Sequence, residues 1–226
     1  DRVYSKDLTM EVSEAVAQRS SIRAFLDTPV SDGLIKDLLE KSARAASGGN
    51  LQPWRVFVLN GESMERFMAA LISYDGEEYQ EYDIYPPNLK SPYRDSRFKI
   101  GEDMYALLGI EREDKQGRYA HLARNFKFFD APAAFFCFVD KCMGPPQWSD
   151  LGMFLQTFML LAQEEGLSTC AQEAWANRAG PVRAFIQPPE ELMLFCGMAI
   201  GHKDPTKPVN DLKSDRARLS DWATFL

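Results

Sequence analysis

Ala133-Ala-Phe-Phe-Cys-Phe-Val139 and Asp150-Leu-Gly-Met-Phe-Leu-Gln-Thr-Phe-Met-Leu-Leu-Ala-Gln163 carry the two patterns that decide the fold class. The first is an unbroken apolar run rich in β-forming residues, as expected of a strand buried on both faces. The second repeats Leu151, Phe154, Leu155, Phe158, Met159 and Ala162 at helical spacing and is apolar over much of its circumference. Such a helix has to be central, either within the domain or at a subunit interface.

Working outward, Trp54 to Leu59 alternates as a strand does, and Leu167 to Ala171 and Leu192 to Ile200 supply two more. Helical spacing runs over Met10 to Arg19 through Val12, Ala15 and Val16. It returns from Val30-Ser31, a staple plus N-cap, through Leu34, Ile35, Leu38 and Leu39 to about Arg44. Gly61 precedes a third helix with Met64, Phe67, Met68, Leu71 and Ile72 on its apolar face. About four strands dispersed among at least five helices, with helices first, predict an α+β fold rather than a doubly wound one. No GxGxxG follows a strand, so a Rossmann dinucleotide site is not supported.

The stretch from Tyr74 to about Asn125 breaks this regularity. It is charged, contains the breaker run Tyr85-Pro-Pro-Asn88 and holds five of the eight tyrosines between Tyr74 and Tyr93. A lid or insertion at about 74–125 and a solvated surface excursion both account for it, with a short helix expected near Glu102 to Leu108.

Composition narrows the function. A chain of 226 residues with 45% hydrophobic residues and 15 Phe can bury a large core within a single domain spanning 1–226. The formal net charge of −7, without a basic stripe, argues against nucleic acid as a partner. No apolar run reaches the roughly 18 residues that span a bilayer, and Asp1 to Val12 shows no leader-type apolar region. No membrane association and a cytoplasmic location are therefore expected, and a first residue other than Met points to trimming. Cys137, Cys142, Cys170 and Cys196 show no CxxC spacing and mostly lie in apolar runs, which favours free thiols. His121 and His202 are far apart, so no metal site is expected.

Two clusters carry chemistry. Arg19-Ser-Ser-Ile-Arg23 puts two guanidiniums and two hydroxyls within five residues, suited to a phosphate; a solvated helix end explains it as well. Ser47-Gly-Gly-Asn-Leu-Gln-Pro-Trp54 lets backbone amides approach a ligand and offers Asn and Gln to a heteroaromatic edge. A turn into a strand explains the glycines but not the Asn-x-Gln-Pro-Trp run.

Taken together, Arg19-Ser-Ser-Ile-Arg-Ala-Phe25 and Ala46-Ser-Gly-Gly-Asn-Leu-Gln-Pro-Trp54 resemble the N-terminal signature of the FMN-dependent nitroreductase family. Gly166-Leu-Ser-Thr-Cys-Ala-Gln-Glu-Ala-Trp175 and Gly197-Met-Ala-Ile-Gly201 extend the resemblance over essentially the whole chain. It implies a nitroreductase-like fold, a central mostly antiparallel sheet flanked by helices, built as an intertwined homodimer with shared FMN sites. It also implies an enzyme that takes hydride from NADH or NADPH and passes electrons to a nitroaromatic or related aromatic acceptor by ping-pong transfer through flavin N5. No side chain is needed as a nucleophile. Alternatives on the same frame are reductive dehalogenation, enone reduction, or flavin binding and storage without catalysis.

Carried over residue by residue, the resemblance implies that Arg19, Ser20 and Ser21 hold the FMN phosphate or ribityl chain. Arg23 lies near the N1/O2 edge, where a fixed cation favours reduction. Ser47, Gly48, Asn50 and Gln52 approach the same flavin from the other subunit. Ala171, Gln172, Glu173 and Ala174 face N5 and O4, with Ala where the family has Pro and Gly. Arg216 reaches the phosphate, with Lys213 and Arg218 as competitors, and Lys127 is either a further flavin contact or a plain surface lysine. Acceptor choice is assigned to the excursion, where Tyr79, Tyr82, Tyr85, Tyr93 and Arg94 could rim the flavin face, Arg94 suiting a carboxylate.

Overall fold

The computed structural model describes residues 10–226. The opening stretch through Thr9, including most of the segment without leader-type character, lies outside the described residues. Helix α1 (Val12–Gln18) ends at Arg19. Helix α2 (Asp32–Ser42) starts where the serine predicts, the Ser31 hydroxyl accepting from Leu34 N at 3.2 Å above buried Val30. Strand β1 (Arg55–Asn60) and helix α3 (Glu62–Ser73) follow.

The expected short helix near Glu102 is a sixteen-residue helix α4 (Tyr93–Leu108), followed by α5 (Lys115–Ala123). The longer extent went unseen because α4 buries only Tyr105 fully and its first two turns are exposed, so no apolar stripe announces it. Strand β2 (Ala133–Asp140) leads to helix α6 (Pro145–Glu164), which begins one and a half turns before the expected Asp150 because Pro145 sits at a helix start. Strand β3 (Ser168–Gln172), helix α7 (Ala179–Ile186) and strand β4 (Leu192–Gly201) complete the order.

The four strands form one antiparallel sheet in the order β1-β2-β4-β3. Strand β2 lies inside it, and every residue from Ala133 to Val139 is buried, which is why its sequence is continuously apolar rather than alternating. Phe136 and Phe138 enter a core with Phe67, Phe128 and Trp175 on one face. Phe135, Cys137 and Val139 enter a second core with Ile35, Leu38, Leu151, Phe154 and Phe158 of α2 and α6 on the other. A side chain at Gly197 would collide with the Trp175 indole, so the glycine lets that ring lie flat against β4.

The segment between α3 and α4 is tied down at several points. Tyr82 packs between Trp148 and Phe195, with ring centroids 5.3 and 5.9 Å away, and its hydroxyl donates to the Phe195 carbonyl. Burial raises the Tyr82 pKa above the usual phenol range, so the hydroxyl remains a donor. Glu81 accepts from Leu194 N at 3.1 Å, and Glu78 pairs with Arg178.

Candidate functional site

Sheet edge β3 decides where Arg19-Ser-Ser-Ile-Arg23 goes. Ser21 bridges Thr169, Ile22 N donates to Thr169 O at 3.0 Å, and Ile22, Ala24 and Phe25 are buried, so the segment runs as an extended ribbon along the edge. Buried Asn210 clamps it: its Oδ1 accepts from Arg23 N at 2.9 Å, and its Nδ2 donates to Ala24 O and Asp204 O at 2.8 and 2.9 Å. With the backbone fixed by these bonds, Arg19, Ser20, Ser21 and Arg23 are all held at one cavity.

There they line a cavity of about 1050 Å³. Its wall carries the cations Arg19, Arg23, Lys203, Lys213 and Arg216 and the hydroxyls Ser20, Ser21 and Ser214, against one carboxylate, Asp211. In a chain of net charge −7 this is a marked local reversal of sign, the electrostatic footprint of an anion site. Lys203 is engaged by Asp211 at 3.4 Å, while among the described residues Arg216 hydrogen-bonds only to Ser214 and a neighbouring carbonyl. Of the C-terminal competitors, Lys213 and Arg216 line the cavity and Arg218 does not, its guanidinium lying 3.6 Å from Asp221.

A second cavity of about 670 Å³ adjoins the first, sharing Arg23, Ile100 and Leu212 as walls. Ala171, Gln172, Glu173 and Ala174 line it, as do Tyr85, Arg94, Arg97 and Phe98 from the excursion. Gln172 is buried, with Nε2 donating to Asn125 O and Oδ1 at 2.8 and 3.2 Å, while its Oε1 has no partner among the described residues. A buried acceptor left without a donor costs stability unless something else supplies one. Cys170, in the same wall, is pushed up to about 11 by burial, with nearby Arg23 opposing, so its thiol stays protonated and offers no thiolate.

His121, set aside as a metal ligand in the sequence, also lines this cavity. It is 5% exposed, stands between Tyr105 and Phe129, and its Nε2 has no hydrogen-bond partner among the described residues. Burial, reinforced by Arg124 and Arg23, brings its pKa down to about 4, so the ring is neutral at pH 7. No group of three metal-ligating side chains occurs among the described residues.

Several expected residues stand elsewhere. Ser47, Gly48, Asn50 and Gln52 line neither cavity of their own chain. Their loop is organised by the buried carboxylate of Asp150, which accepts from Gly48 N at 3.1 Å and from Ser47 Oγ at 3.3 Å; Ser47 Oγ accepts in turn from Gln52 N at 2.8 Å. Asn50 and Gln52 hold left-handed φ of 55 and 50°, which turns the exposed loop tip sharply. Asp150 went unremarked in the sequence, although an acid four residues before Phe154, within the buried stripe of α6, is the signal. Lys127 lines a third, largely apolar cavity with Met68, Leu71 and Phe126, which adjoins the second through Leu122, Asn125, Ala174 and Asn177. Tyr79, Tyr82 and Tyr93 line neither of the first two; Tyr82 is the anchor described above, and Tyr93 is 70% exposed. Arg94 does line the second cavity, but its guanidinium is held by Asp95 at 2.8 and 2.9 Å.

Comparison with known proteins agrees with this geometry. The sequence pattern described as "Nitroreductase family" matches residues 16–202. The chain is 34% identical over 220 residues to a 4-nitrobenzoate reductase of Pseudomonas putida, covering 97% of each. It is 32% identical over 223 residues to a nitrobenzene nitroreductase of Ectopseudomonas oleovorans, covering 95% and 96%. Among solved structures it is similar to the FMN and NADPH-dependent nitroreductase NfnB of Sphigopyxis sp. strain HMH, with 43% identity, a TM-score of 0.89, and 96% and 99% of the two chains covered.

Proposed function

The chain belongs to the nitroreductase family, and from that premise we propose that it is an FMN-dependent NAD(P)H oxidoreductase that reduces nitroaromatic acceptors. The observation that carries this reading is the pair of adjoining cavities meeting at Arg23, one lined by five cations against a single carboxylate and the other by the 171–174 segment, aromatic rings and guanidiniums of mixed pairing. A phosphorylated planar cofactor fits that division of chemistry, and the unpartnered Gln172 Oε1 offers an acceptor to a ring N–H.

Arg19, Ser20, Ser21 and Arg216 hold the phosphate and ribityl end, with Lys213 beside them. Arg23 serves both cavities; its guanidinium donates only to Ser21 O among the described residues, so its charge remains available to the ring edge. Ala171, Gln172, Glu173 and Ala174 form the wall against which the ring lies, and backbone amides do the bonding there, so Ala in place of the family's Pro and Gly does not remove the donors. When bound, FMN supplies the capacity to accept a hydride and hand electrons onward. The protein's part is to orient the ring, fix a positive charge beside it and limit water from the second cavity.

The reductant, NADPH or NADH, and the acceptor would use this second cavity in turn, the ping-pong order that the family resemblance implies. The chain forms a single domain, with residues from the 74–125 excursion contributing to the outer wall of the second cavity. The loop bearing Ser47, Gly48, Asn50 and Gln52, held out by Asp150 away from its own cavities, serves the cofactor of a second copy, which makes the active form a homodimer. A cytoplasmic location accords with four free cysteines; no helix among the described residues is long and apolar enough to cross a membrane.

The test is spectroscopic. Protein loaded with FMN is expected to bleach in the flavin absorption band on anaerobic addition of NADPH, and to regain colour when 4-nitrobenzoate is added. A protein that stays coloured with both nicotinamides would be a flavin carrier rather than a reductase.

A further inference from the structure

Four guanidiniums line the second cavity, and two of them are already paired with carboxylates. Arg118 is gripped by both oxygens of Glu102 at 2.5 and 3.1 Å. Arg94 is held by Asp95. Arg23 sits at the junction with the phosphate cavity. Arg97 is different. Its guanidinium lies 3.9 Å from the ring centroid of Tyr85, and among the described residues no carboxylate or carbonyl accepts from it.

Stacking on an aromatic face orients a guanidinium while leaving its in-plane N–H edge free. That edge is the geometry that takes a carboxylate through two parallel hydrogen bonds. The surroundings suit a ring: Tyr85 and Phe98 supply aromatic surface, and one turn further along α4 from Arg97, Gly101 leaves open space where a side chain would otherwise stand. We propose that Arg97, stacked on Tyr85, is the specificity-determining residue of the cavity and selects aromatic acceptors that carry a carboxylate. The inference rests on the reading of this cavity as the acceptor site. It places anion recognition one helical turn beyond Arg94, whose charge Asp95 already answers. The phosphate on the ribose of NADPH presents the same anionic chemistry, but the aromatic walls favour a flat ring over a sugar phosphate.

The experiment compares FMN-loaded wild type with Arg97→Gln and Arg97→Lys. First, benzoate, which cannot be reduced, is titrated calorimetrically into the oxidised holoprotein. Its Kd is expected to rise roughly tenfold or more in Arg97→Gln, the scale of a lost charge-assisted hydrogen bond, and Arg97→Lys is expected to recover only part, because an ammonium cannot offer the planar fork. Second, the ratio of kcat/KM for 4-nitrobenzoate to that for nitrobenzene is expected to fall by a similar factor, mainly through the KM of the benzoate. An unchanged benzoate Kd overturns the proposal. So does a variant in which that ratio is kept while discrimination between NADPH and NADH is lost, which would assign Arg97 to the reductant. Failure of the underlying reading looks different: wild type would bind benzoate through Arg97 and yet reduce neither nitro compound.

Discussion

In β2, seven of eight residues are buried, whereas in α4 only Tyr105 of sixteen is. Both elements belong to the same molecule, yet different forces hold them. Strand β2 is fixed by apolar burial on two faces, with Phe136 at 5.3 Å from Phe67 and 5.0 Å from Trp175 and Phe135 at 5.0 Å from Phe158. Helix α4 is held by the one buried ring of Tyr105, with Arg118 of the Glu102 pair over it, and otherwise by exposed charge, Lys99 meeting Asp103 at 2.6 Å and Asp215 at 2.9 Å. Exposed pairs of this kind contribute little each, about 0–1 kcal/mol. The strand therefore supplies stability, and the helix supplies side chains that can change without unfolding the protein.

The sharpest way to break that contrast is to truncate one phenylalanine in each element. Phe136→Ala removes a fully buried ring and is expected to cost about 3–5 kcal/mol in denaturant unfolding. Phe98→Ala, on the half-exposed face of α4, is expected to cost less than about 0.5 kcal/mol while altering acceptor kinetics. Comparable stability losses would show that α4 belongs to the cooperative core after all.

The same contrast explains what could be read from the sequence. The continuous run Ala133 to Val139 and the stripe from Leu151 to Ala162 are consequences of burial, and burial writes itself into residue type; the α+β class and all four strands were legible for that reason. That Arg19, Ser20, Ser21 and Arg23 share one cationic cavity wall was foreshadowed because Arg19 to Arg23 is a compact local motif. What could not be read depends on pairing across the chain. That Arg94 is ion-paired with its neighbour while Arg97 stacks on Tyr85, that Asn210 clamps Arg23 from 187 positions away, and that Tyr82 packs on Trp148 and Phe195 rather than lining either cavity follow from contacts that single-residue patterns do not reveal.

His121, with Tyr105 a buried group within the charged excursion, gives a pH test of intermediate size. Its folded pKa of about 4 lies below the unfolded value of 6.5, so the unfolded chain takes up a proton first as pH falls. Stability is thus unaffected above pH 6.5 and is lost progressively between there and about pH 4, by on the order of 3 kcal/mol at most. Carboxylates paired in the folded state, such as Glu102, lose stabilisation in acid too. The quantity to follow is therefore the difference between wild type and His121→Leu across pH 7 to 4. That difference is expected to narrow or change sign in favour of the variant as the solution is acidified. A difference that stays constant would mean the ring is not confined between Tyr105, Phe129, Arg23 and Arg124 as described.

The smallest effect concerns how the excursion is attached. Tyr82→Phe keeps the ring that packs on Trp148 and Phe195 and deletes only the hydroxyl that donates to the Phe195 carbonyl. Global stability is expected to fall by about 1 kcal/mol, the net worth of one hydrogen bond with its acceptor left behind. Locally the consequence is more informative. Glu81 N donates to Ala176 O at 2.8 Å and Ala179 N donates to Tyr79 O at 3.2 Å, so the segment around Tyr82 is pinned to the turn that follows β3. If Tyr82 is the pin, hydrogen exchange at Glu81 N and Ala179 N should accelerate in the variant while the amides of β2 keep their protection. Acceleration in both regions would mean that excursion and sheet open together, and the division between a core that holds and a wall that adapts would have to be given up.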